Sequence, residues 1–257
     1  MRPPHILCRS LLAGLALLGA ALAIPADASV VISGTRVVYR APEKEVTVRL
    51  TNEGSLPALT QVWLDQGDPR ADPATLKVPF LVTPPVMRID AGKAQTLRLM
   101  YTGEALPQDR ESVFWLNVLE VPPKPKADDA PANLLQLSFR SRIKVFFRPQ
   151  GLKGAVQDAP AQLQWRLAHD GGKLGIEVRN PTAYHVSFAS IDVNTGGQHA
   201  VFDDGGMVGP GETRAFPLKG ELKGDVKAGG ATVHYRCIND HGGVSEGDAT
   251  TGDRAGA

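Results

Sequence analysis

The residues best suited to chemistry lie in the second half of the chain. Five of the six histidines fall there, at His169, His185, His199, His234 and His241. Two of them flank a cysteine in the pattern His-x2-Cys-x3-His, which has the spacing of a small metal-ligand cluster. Three ligands on one strand and its following turn suit a closed tetrahedral zinc site poorly, so we predict no metal and no cofactor. The alternative is a secreted metalloenzyme that uses these histidines.

Charge and composition narrow the class of protein further. The chain has 257 residues, 42% of them hydrophobic, which is enough for one or two globular domains. Lys and Arg number 28 against 27 Asp and Glu, so no overall basic field exists to attract nucleic acid or anionic lipid. We therefore predict no nucleic-acid partner.

One segment is longer than an ordinary strand and alternates throughout. Residues 133–148 read Asn-Leu-Leu-Gln-Leu-Ser-Phe-Arg-Ser-Arg-Ile-Lys-Val-Phe-Phe-Arg, whereas a typical strand has about 5–6 residues. Leu135, Leu137 and Phe139 share one face, which on composition alone would enter a hydrophobic core. The alternative is a sheet edge that offers this row to another chain by strand addition. A long apolar edge promotes aggregation, so a protein that keeps one has a use for it.

The amino terminus has the features of a secretory signal peptide. Basic residues precede an uncharged apolar run at 11–23, which is too short for a membrane span of about 20 residues. The small-x-small motif Ala26-Asp-Ala28 predicts cleavage before Ser29, and Ala21-Leu-Ala23 is a second candidate motif. Residues 1–28 are thus predicted to be a cleaved leader, with a retained anchor as the alternative. The mature protein would not insert into a membrane.

Cys237 is the only cysteine that would remain after cleavage. It cannot close a disulfide within the chain, so the fold must be stabilised by packing. Because it lies in the strand-like run Thr232–Asn239, we predict a buried and unreactive thiol.

Beyond Ser29 the chain alternates with the period of β-strands, in two similar halves. The landmarks Asn52 and Gly92, which follow and precede strand-like runs, recur as Asn180 and Gly211. Their offsets of 128 and 119 residues are nearly equal. This repetition predicts an all-β protein with two related β-sandwiches in tandem.

The domain boundaries follow from proline and glycine, both of which end strands. We place the first domain at 29–148, the hinge at 149–151 and the second domain at 152–257. Between Gly242 and Ala257 only Val244 is large and apolar. The second sandwich is therefore expected to lack a full last strand, or to end in a disordered tail.

A stretch of eighteen residues is more distinctive than the alternation. It runs from Leu106 to Pro123 as LPQDRESVFWLNVLEVPP. Four short motifs accompany it in order: Thr35–Tyr39, Thr83–Pro85, Ile143–Pro149 and Ile238–Gly243. Together they closely resemble the PapD-like periplasmic pilus chaperones of chaperone–usher pathways, over the whole mature chain except the tail.

The resemblance implies two immunoglobulin-like sandwiches in a boomerang arrangement with a cleft between them. Chaperones of this family bind, fold and cap pilus subunits by lending a long strand, and deliver them to an outer-membrane usher. Pilus subunits and the usher are thus the implied partners, and the periplasm is the implied location. The matching donor positions are Leu135, Leu137 and Phe139, with Ile143 as a further candidate.

Arg36 and Lys144 match the family's pair that anchors the carboxyl terminus of the subunit. A guanidinium beside an ammonium offers a carboxylate both geometry and charge. In a flat strand, however, Lys144 would face away from the row of Leu137. We therefore expect a bulge, a twist or an edge-on geometry near the hinge.

Glu111, Arg148 and Asp240 match a second family feature, an ion network between the domains. Its loss is expected to change the angle between the domains rather than to unfold them. The resemblance also implies a cis bond at Thr83–Pro84 or Pro84–Pro85. The short loop at 122–132 resembles the short-loop branch of the family.

The main alternative is a secreted structural pilus subunit or adhesin that exchanges strands. Such a subunit would be a single incomplete sandwich with an amino-terminal donor extension and usually a disulfide. This chain has two sandwiches, one mature thiol and an internal donor. We therefore predict a chaperone without enzymatic activity; the cognate subunit, the fibre type and self-association of the free protein stay open.

Overall fold

The computed structural model describes residues 29–123, 136–170, 173–220 and 230–252. The predicted leader and Leu135 lie outside these residues. No described helix is long and apolar enough to cross a membrane. Two short 3-10 turns, Val156–Asp158 and Pro160–Gln162, interrupt an otherwise all-β fold.

The strands of the described part divide between two sandwiches. Those of the first are β1 (Val30–Ile32), β2 (Arg36–Arg40), β3 (Val46–Asn52), β4 (Ala58–Asp65), β5 (Phe80–Thr83), β6 (Val86–Ile89), β7 (Ala94–Tyr101), β8 (Ser112–Val121) and β9 (Phe139–Arg148). Those of the second are β10 (Gln164–Asp170), β11 (Lys173–Arg179), β12 (Val186–Thr195), β13 (Gln198–Phe202), β14 (Gly206–Val208), β15 (Thr213–Pro217), β16 (Lys219–Gly220), β17 (Thr232–Ile238) and β18 (Val244–Thr250).

The first sandwich packs a sheet ordered β1-β3-β7-β5 against one ordered β2-β9-β8-β4-β6. Inward positions alternate with exposed ones along each strand, as the period of two predicts. In β3, for example, Val48 and Leu50 are buried while Thr47 and Arg49 are exposed. The rows from both sheets form one core in the first domain.

The second sandwich packs β10-β11-β15 against a sheet ordered β16-β13-β12-β17-β18, with β14 also paired to β12. It has a hydrophobic core of its own. The prediction of two tandem immunoglobulin-like sandwiches is confirmed.

Asn52 and Asn180 form equivalent hydrogen bonds in the two sandwiches. The Asn52 amide donates to the carbonyls of Leu56 and Ile89, and the carbonyl of Asn52 accepts from the Gly92 amide at 2.8 Å. In the second sandwich the Asn180 side chain likewise donates to two carbonyls.

The backbone bonds repeat as well, since the Asn180 carbonyl accepts from the Gly211 amide at 2.8 Å. Both asparagines are fully buried, so their polar groups must be satisfied within the fold. The repeated landmarks thus mark equivalent turns.

The carboxyl end differs from the expectation that the second sandwich lacks a full last strand. Residues 253–257, the end of the expected tail, lie outside the described residues. Val244–Thr250 forms the strand β18, which pairs with β17 along its whole length. Its polar residues are satisfied by β17, since Glu246 contacts Arg236 and Asp248 contacts His234. A sheet edge of this kind needs few apolar side chains, so the polar composition was misleading.

Of the bulge, twist or edge-on geometry expected near the hinge, the bulge is absent from the described part of the long strand. β9 pairs with β8 from Ser112↔Phe147 to Glu120↔Phe139 without a register shift. Lys144 therefore does face away from Phe139, as in a flat strand. No distortion is needed, because the two faces of β9 serve different neighbours: one covers the first core and the other meets the second domain.

The connection between the sandwiches passes through Pro149 and Gly151, whose φ of +73° suits glycine. Elsewhere, the Thr83–Pro84 peptide bond is cis, which agrees with one of the two expected positions.

Candidate functional site

β9 is half covered and half open. The parallel strand β2 begins at Arg36 opposite Lys144 and covers β9 only from Lys144 to Arg148. The preceding half, Phe139–Ile143, pairs with β8 on one side and has no described strand on the other. The long strand thus presents a free backbone edge that ends where Arg36 and Lys144 meet.

The apolar residues along this edge are exposed. Leu137, just before the strand, is 55% exposed, and Phe139 is 44% exposed. They do not enter the first core, contrary to the composition-based alternative. Ile143 is different, because it is half-buried and packs against that core. An opening of about 230 Å³ lies beside Ile143, between the two sheets.

Strand β9 begins at Phe139, whereas the alternation predicts a donor segment that begins at residue 133. The reason is that β8 pairs with β9 only as far as Phe139 and ends at Val121. Leu137 has no ladder partner among the described residues, and Leu135 lies outside them.

Arg36 and Lys144 lie side by side at the end of the open edge. Each reaches across to the second domain: Arg36 Nη1 donates to the Ile238 carbonyl at 2.7 Å, and Lys144 Nζ donates to Ser187 Oγ at 3.1 Å. Neither forms an ion pair within the part of the chain that the structure describes. Arg36 Nε is buried without a hydrogen-bond partner there.

The electrostatics of this pair favour an incoming anion. Burial lowers the pKa of Lys144 to about 8, and the positive charges of Arg36 and Arg214 contribute to the shift. Burial also lowers the pKa of Arg36, against the attraction of Asp240 and Glu111. Two half-buried cations side by side have the charge and the donors that suit a carboxylate.

Arg148, Glu111 and Asp240 are brought together at the hinge. Arg148 Nε donates to Glu111 at 2.6 Å, and its two terminal nitrogens donate to Asp240 at 2.6 and 2.9 Å. Burial alone would lower the pKa of Arg148, but its bonds to Asp240 and Glu111 raise that pKa above its ordinary value. The guanidinium therefore stays charged and bridges the two sandwiches.

His185 is a further member of this network that the sequence motifs did not indicate. Its backbone N–H donates to Glu111 at 2.8 Å, and its ring lies 3.3 Å from the same oxygen. The Glu111 side chain, only 1% exposed, thus accepts from both domains. The sequence signal was weak, because His185 lies in a loop of the second domain.

Phe146 and Ser187 were also missed. The Arg36 guanidinium lies over the Phe146 ring at 5.7 Å, and that ring packs on His185. Phe146 could have been noticed, since it is the one apolar residue in the polar row of β9. Nothing in the sequence marked Ser187, because its partner Lys144 lies in the other domain.

The two short motifs around Thr35 and Gly242 meet at the interface. A Cβ atom on Gly242 would lie 2.6 Å from Thr35 Oγ1, and the φ of Gly242 is +82°. A side chain there would clash with the first domain and strain the turn. The spacing of the Ile238–Gly243 motif thus reflects contact between the domains.

The histidine–cysteine spacing does not gather its three side chains. Cys237 is buried in the second core, and burial raises the pKa of its thiol to about 12. His234 pairs instead with Asp248 on the outer face. The prediction of a buried thiol is confirmed. Residues 243–247 have the spacing of a nucleophile elbow, but the central Ser245 lies in the edge strand β18 and not at a strand-to-helix turn.

Fold and site together define an all-β protein of two tandem immunoglobulin-like domains, with Arg36, Lys144 and the Arg148 network at the contact between them. Residues 29–153 match the family model described as pili and flagellar-assembly chaperone, PapD N-terminal domain. Residues 158–249 match pili assembly chaperone PapD, C-terminal domain. The chain therefore belongs to the PapD family of pilus-assembly chaperones.

Individual relatives are named as chaperones too. The probable fimbrial chaperone YadV of Escherichia coli K12 is 51% identical over 224 residues, 86% of this chain and 89% of the relative. The chaperone FimB/FhaD of Bordetella pertussis is 44% identical over 248 residues, 93% and 97% of the two chains.

Solved structures give the same result. The crystal structure of the YadV chaperone has a TM-score of 0.72 at 47% identity and covers 86% of this chain and 99% of its own. The Pseudomonas aeruginosa CupB2 chaperone has a TM-score of 0.70 at 40% identity, with coverage of 86% and 100%. The Salmonella enterica SafB chaperone, solved in complex with SafA pilin, has 0.69 at 30%, with coverage of 88% and 97%.

These findings confirm the predicted role as a chaperone in pilus assembly. They do not favour the alternative of a structural subunit or adhesin.

Proposed function

We propose that the protein captures a pilus subunit by donor-strand complementation along the open half of β9. The observation that supports this most is the free edge at Phe139–Ile143, flanked by exposed Leu137 and Phe139. A monomeric protein seldom leaves such an edge unprotected. An added strand would bond to the free backbone groups and cover the apolar row.

The geometry also favours one direction for the added strand. An edge that ends at Arg36 and Lys144 suits a strand whose own carboxyl end lies there. Since β9 runs from Phe139 toward Lys144, that strand would run parallel to β9, in line with β2. The terminal carboxylate would then lie beside Arg36 and Lys144 and accept hydrogen bonds from both.

Export and delivery complete the proposal. The chain would enter the periplasm after loss of residues 1–28, and loaded chaperone would pass its subunit to an outer-membrane usher. Two contacts support Ser29 as the start of the folded chain: its hydroxyl bonds to Glu120, and the Val30 N–H donates to Glu120 at 3.0 Å. The Glu120 side chain is buried, so this end is fixed to β8.

The exported chain is therefore expected to begin at Ser29. The intact mass of the protein recovered from the periplasm measures this directly. A mass that corresponds to a start at Ile24, after the second motif, would contradict the assignment. Full-length mass in a membrane fraction would contradict export as a cleaved protein.

Capture is tested by co-expression of the mature protein with subunits encoded nearby, followed by purification of a soluble one-to-one complex. Arg36→Ala and Lys144→Ala remove the carboxylate site, and Leu137→Glu places a charge in the donor row. Each change is expected to lower the yield of complex by about tenfold or more, because each removes a buried contact with the partner.

The matched control for the donor row is Leu59→Glu, an exposed leucine on another strand of the same sheet. It should leave capture of the subunit by the β9 edge intact. A complex that survived all three site variants would mean that the subunit binds a different face. A wild-type chain that held no subunit would contradict the proposal itself.

A further inference from the structure

Beneath the open half of β9 lies a charged cluster that consists of Asp65, Trp115, Asn117 and Arg142, which we call the Arg142 brace. Arg142 Nε donates to Asp65 Oδ2 at 3.0 Å, and a second guanidinium nitrogen bonds to Asp65 Oδ1. The same guanidinium lies over the Trp115 ring, 4.8 Å from its centre. Arg142 is thus held both by a bidentate ion pair and by an aromatic face.

Asp65 is a fixed point for this contact. Its side chain is 2% exposed, and it also accepts hydrogen bonds from Asn117 at 2.7 Å and from the Gly67 N–H at 2.6 Å. Burial would raise the pKa of Asp65, but the bonds from Arg142, Asn117 and Gly67 lower it below its usual range. The carboxylate therefore stays charged at neutral pH.

The brace connects strands that are not neighbours. Asp65 ends β4, which pairs with β8, and β8 in turn pairs with β9. Asp65 lies opposite Trp115, and Arg142 lies opposite Asn117, so the ion pair runs diagonally across β8. This ion pair stabilises β9 most, because at Arg142 that strand pairs only with β8 among the described strands.

A second contact continues the pattern toward the start of β9. The Arg140 guanidinium lies 5.4 Å from the centre of the Trp63 ring and donates to the Pro69 carbonyl at 2.7 Å. Arg140 and Arg142 thus hold the face of the half-strand opposite to Phe139. The apolar row is left free on the other face.

We infer that Arg142 and Asp65 are positioning residues for subunit capture: they hold the open half of β9 extended before a partner arrives. A strand paired on one side only opens readily. Fixing it in its bound conformation in advance reduces the ordering cost of binding. This inference rests on the proposed function, since the edge it positions is the donor edge.

Hydrogen exchange of the full mature protein tests the inference. In Arg142→Gln and in Asp65→Asn, backbone amide exchange at Phe139–Ile143 should rise about tenfold or more, while exchange at Val145–Arg148, covered by β2, should stay unchanged. Arg142→Lys keeps the charge without the planar fork, so its effect should be intermediate. The matched control is Arg166→Gln, which removes an ion pair to Glu177 in the second domain.

Capture kinetics supply the second readout. The rate at which a denatured subunit is captured should fall about tenfold in the two brace variants, with a smaller change in the dissociation rate, because the bound strand itself holds the edge. Melting temperatures identify any variant whose slower capture reflects a lower stability of the whole fold. Capture rates are therefore compared at a temperature at which every variant is fully folded.

Three results would overturn the inference: unchanged exchange at Phe139–Ile143, an equal rise at Val145–Arg148, or a local rise without slower capture. Its failure is distinguishable from failure of the proposed function. If wild-type protein captured no subunit at all, the proposed function would be wrong, and so would the positioning role. The exchange data would still show whether the Arg142 brace holds β9.

Discussion

Replacement of Lys144 by methionine is expected to weaken subunit binding while making the free protein more stable. Among the described residues, the half-buried ammonium has the Ser187 hydroxyl as its single hydrogen-bond partner, and it lies near the positive charges of Arg36 and Arg214. Methionine keeps most of the packing and removes an uncompensated charge, which should stabilise the free protein by about 1–2 kcal/mol after allowance for partial exposure.

Binding should change in the opposite direction. A charge-assisted hydrogen bond to a carboxylate contributes about 1.5–3 kcal/mol, so affinity should fall by roughly 10-fold to 100-fold. Competition between variant and wild type for a limiting amount of denatured subunit measures the loss, and calorimetry measures stability. Lys219→Met removes an exposed ammonium that bridges Asp203 and Asp204 and should change neither much. Normal subunit binding by the Lys144→Met protein would show that Lys144 does not bind the subunit.

The same lysine should make binding depend on pH. In the free protein the pKa of Lys144 is about 8, and a bound carboxylate would raise it. Binding therefore takes up a proton above pH 8, and affinity should fall by up to about tenfold per pH unit there until the bound lysine also titrates. Stability has the other sign: above pH 8 the unfolded chain still holds this proton, so the free protein gains stability. Both dependences should be absent in Lys144→Met.

Replacement of Arg148 by methionine is expected to open the hinge. It would leave the carboxylates of Glu111 and Asp240 without their cation, and an unpaired buried charge costs about 3–5 kcal/mol. The network lies outside both hydrophobic cores. The domains can therefore separate and hydrate the carboxylates while each sandwich stays folded.

Small-angle X-ray scattering should show a larger radius of gyration for Arg148→Met than for wild type, with the β-sheet content unchanged by circular dichroism. Subunit capture should fall too, since Arg36 and Lys144 both bond across the same interface. Arg166→Met, which breaks a partly exposed pair within the second domain, is the control. Unchanged scattering, or loss of sheet structure, would contradict the hinge role.

Much of the fold could be predicted from local patterns. Strand alternation in the first sandwich matched its burial, because each strand has one face in a core. Asn52 and Asn180 were informative because a buried amide that bonds to two carbonyls can be replaced by few other side chains. Such a residue recurs wherever the same turn recurs.

Other features depended on partners far away in the sequence. The sequence of β18 resembles a loop because it is polar. In the fold, its charged residues are paired with Arg236 and His234 of β17. Its Gly247 looks like a strand breaker, yet a Cβ atom there would lie 2.4 Å from the Tyr235 hydroxyl. Only the pairing register explains both.

The proximity of Arg36 and Lys144 was predictable only through resemblance. Taken alone, Arg36 and Lys144 are strand residues 108 positions apart, and most such residues are solvated. Their proximity follows from the parallel pairing of β2 with β9, which alternation cannot reveal. The partners Ser187 and Ile238 come from the other domain.

Because the register of β9 is unbroken, each position along its open edge lies at a fixed distance from Lys144. With a carboxylate fixed at Lys144 as the zero point, each residue of the added strand is placed about 3.3 Å further back along the edge, and alternate side chains face opposite ways. One extra residue at the end of a subunit would therefore turn every side chain to the wrong side, whereas two would keep the facing and shift the strand by about 6.6 Å. Selectivity would then be counted in residues from the chain end as well as in side-chain chemistry.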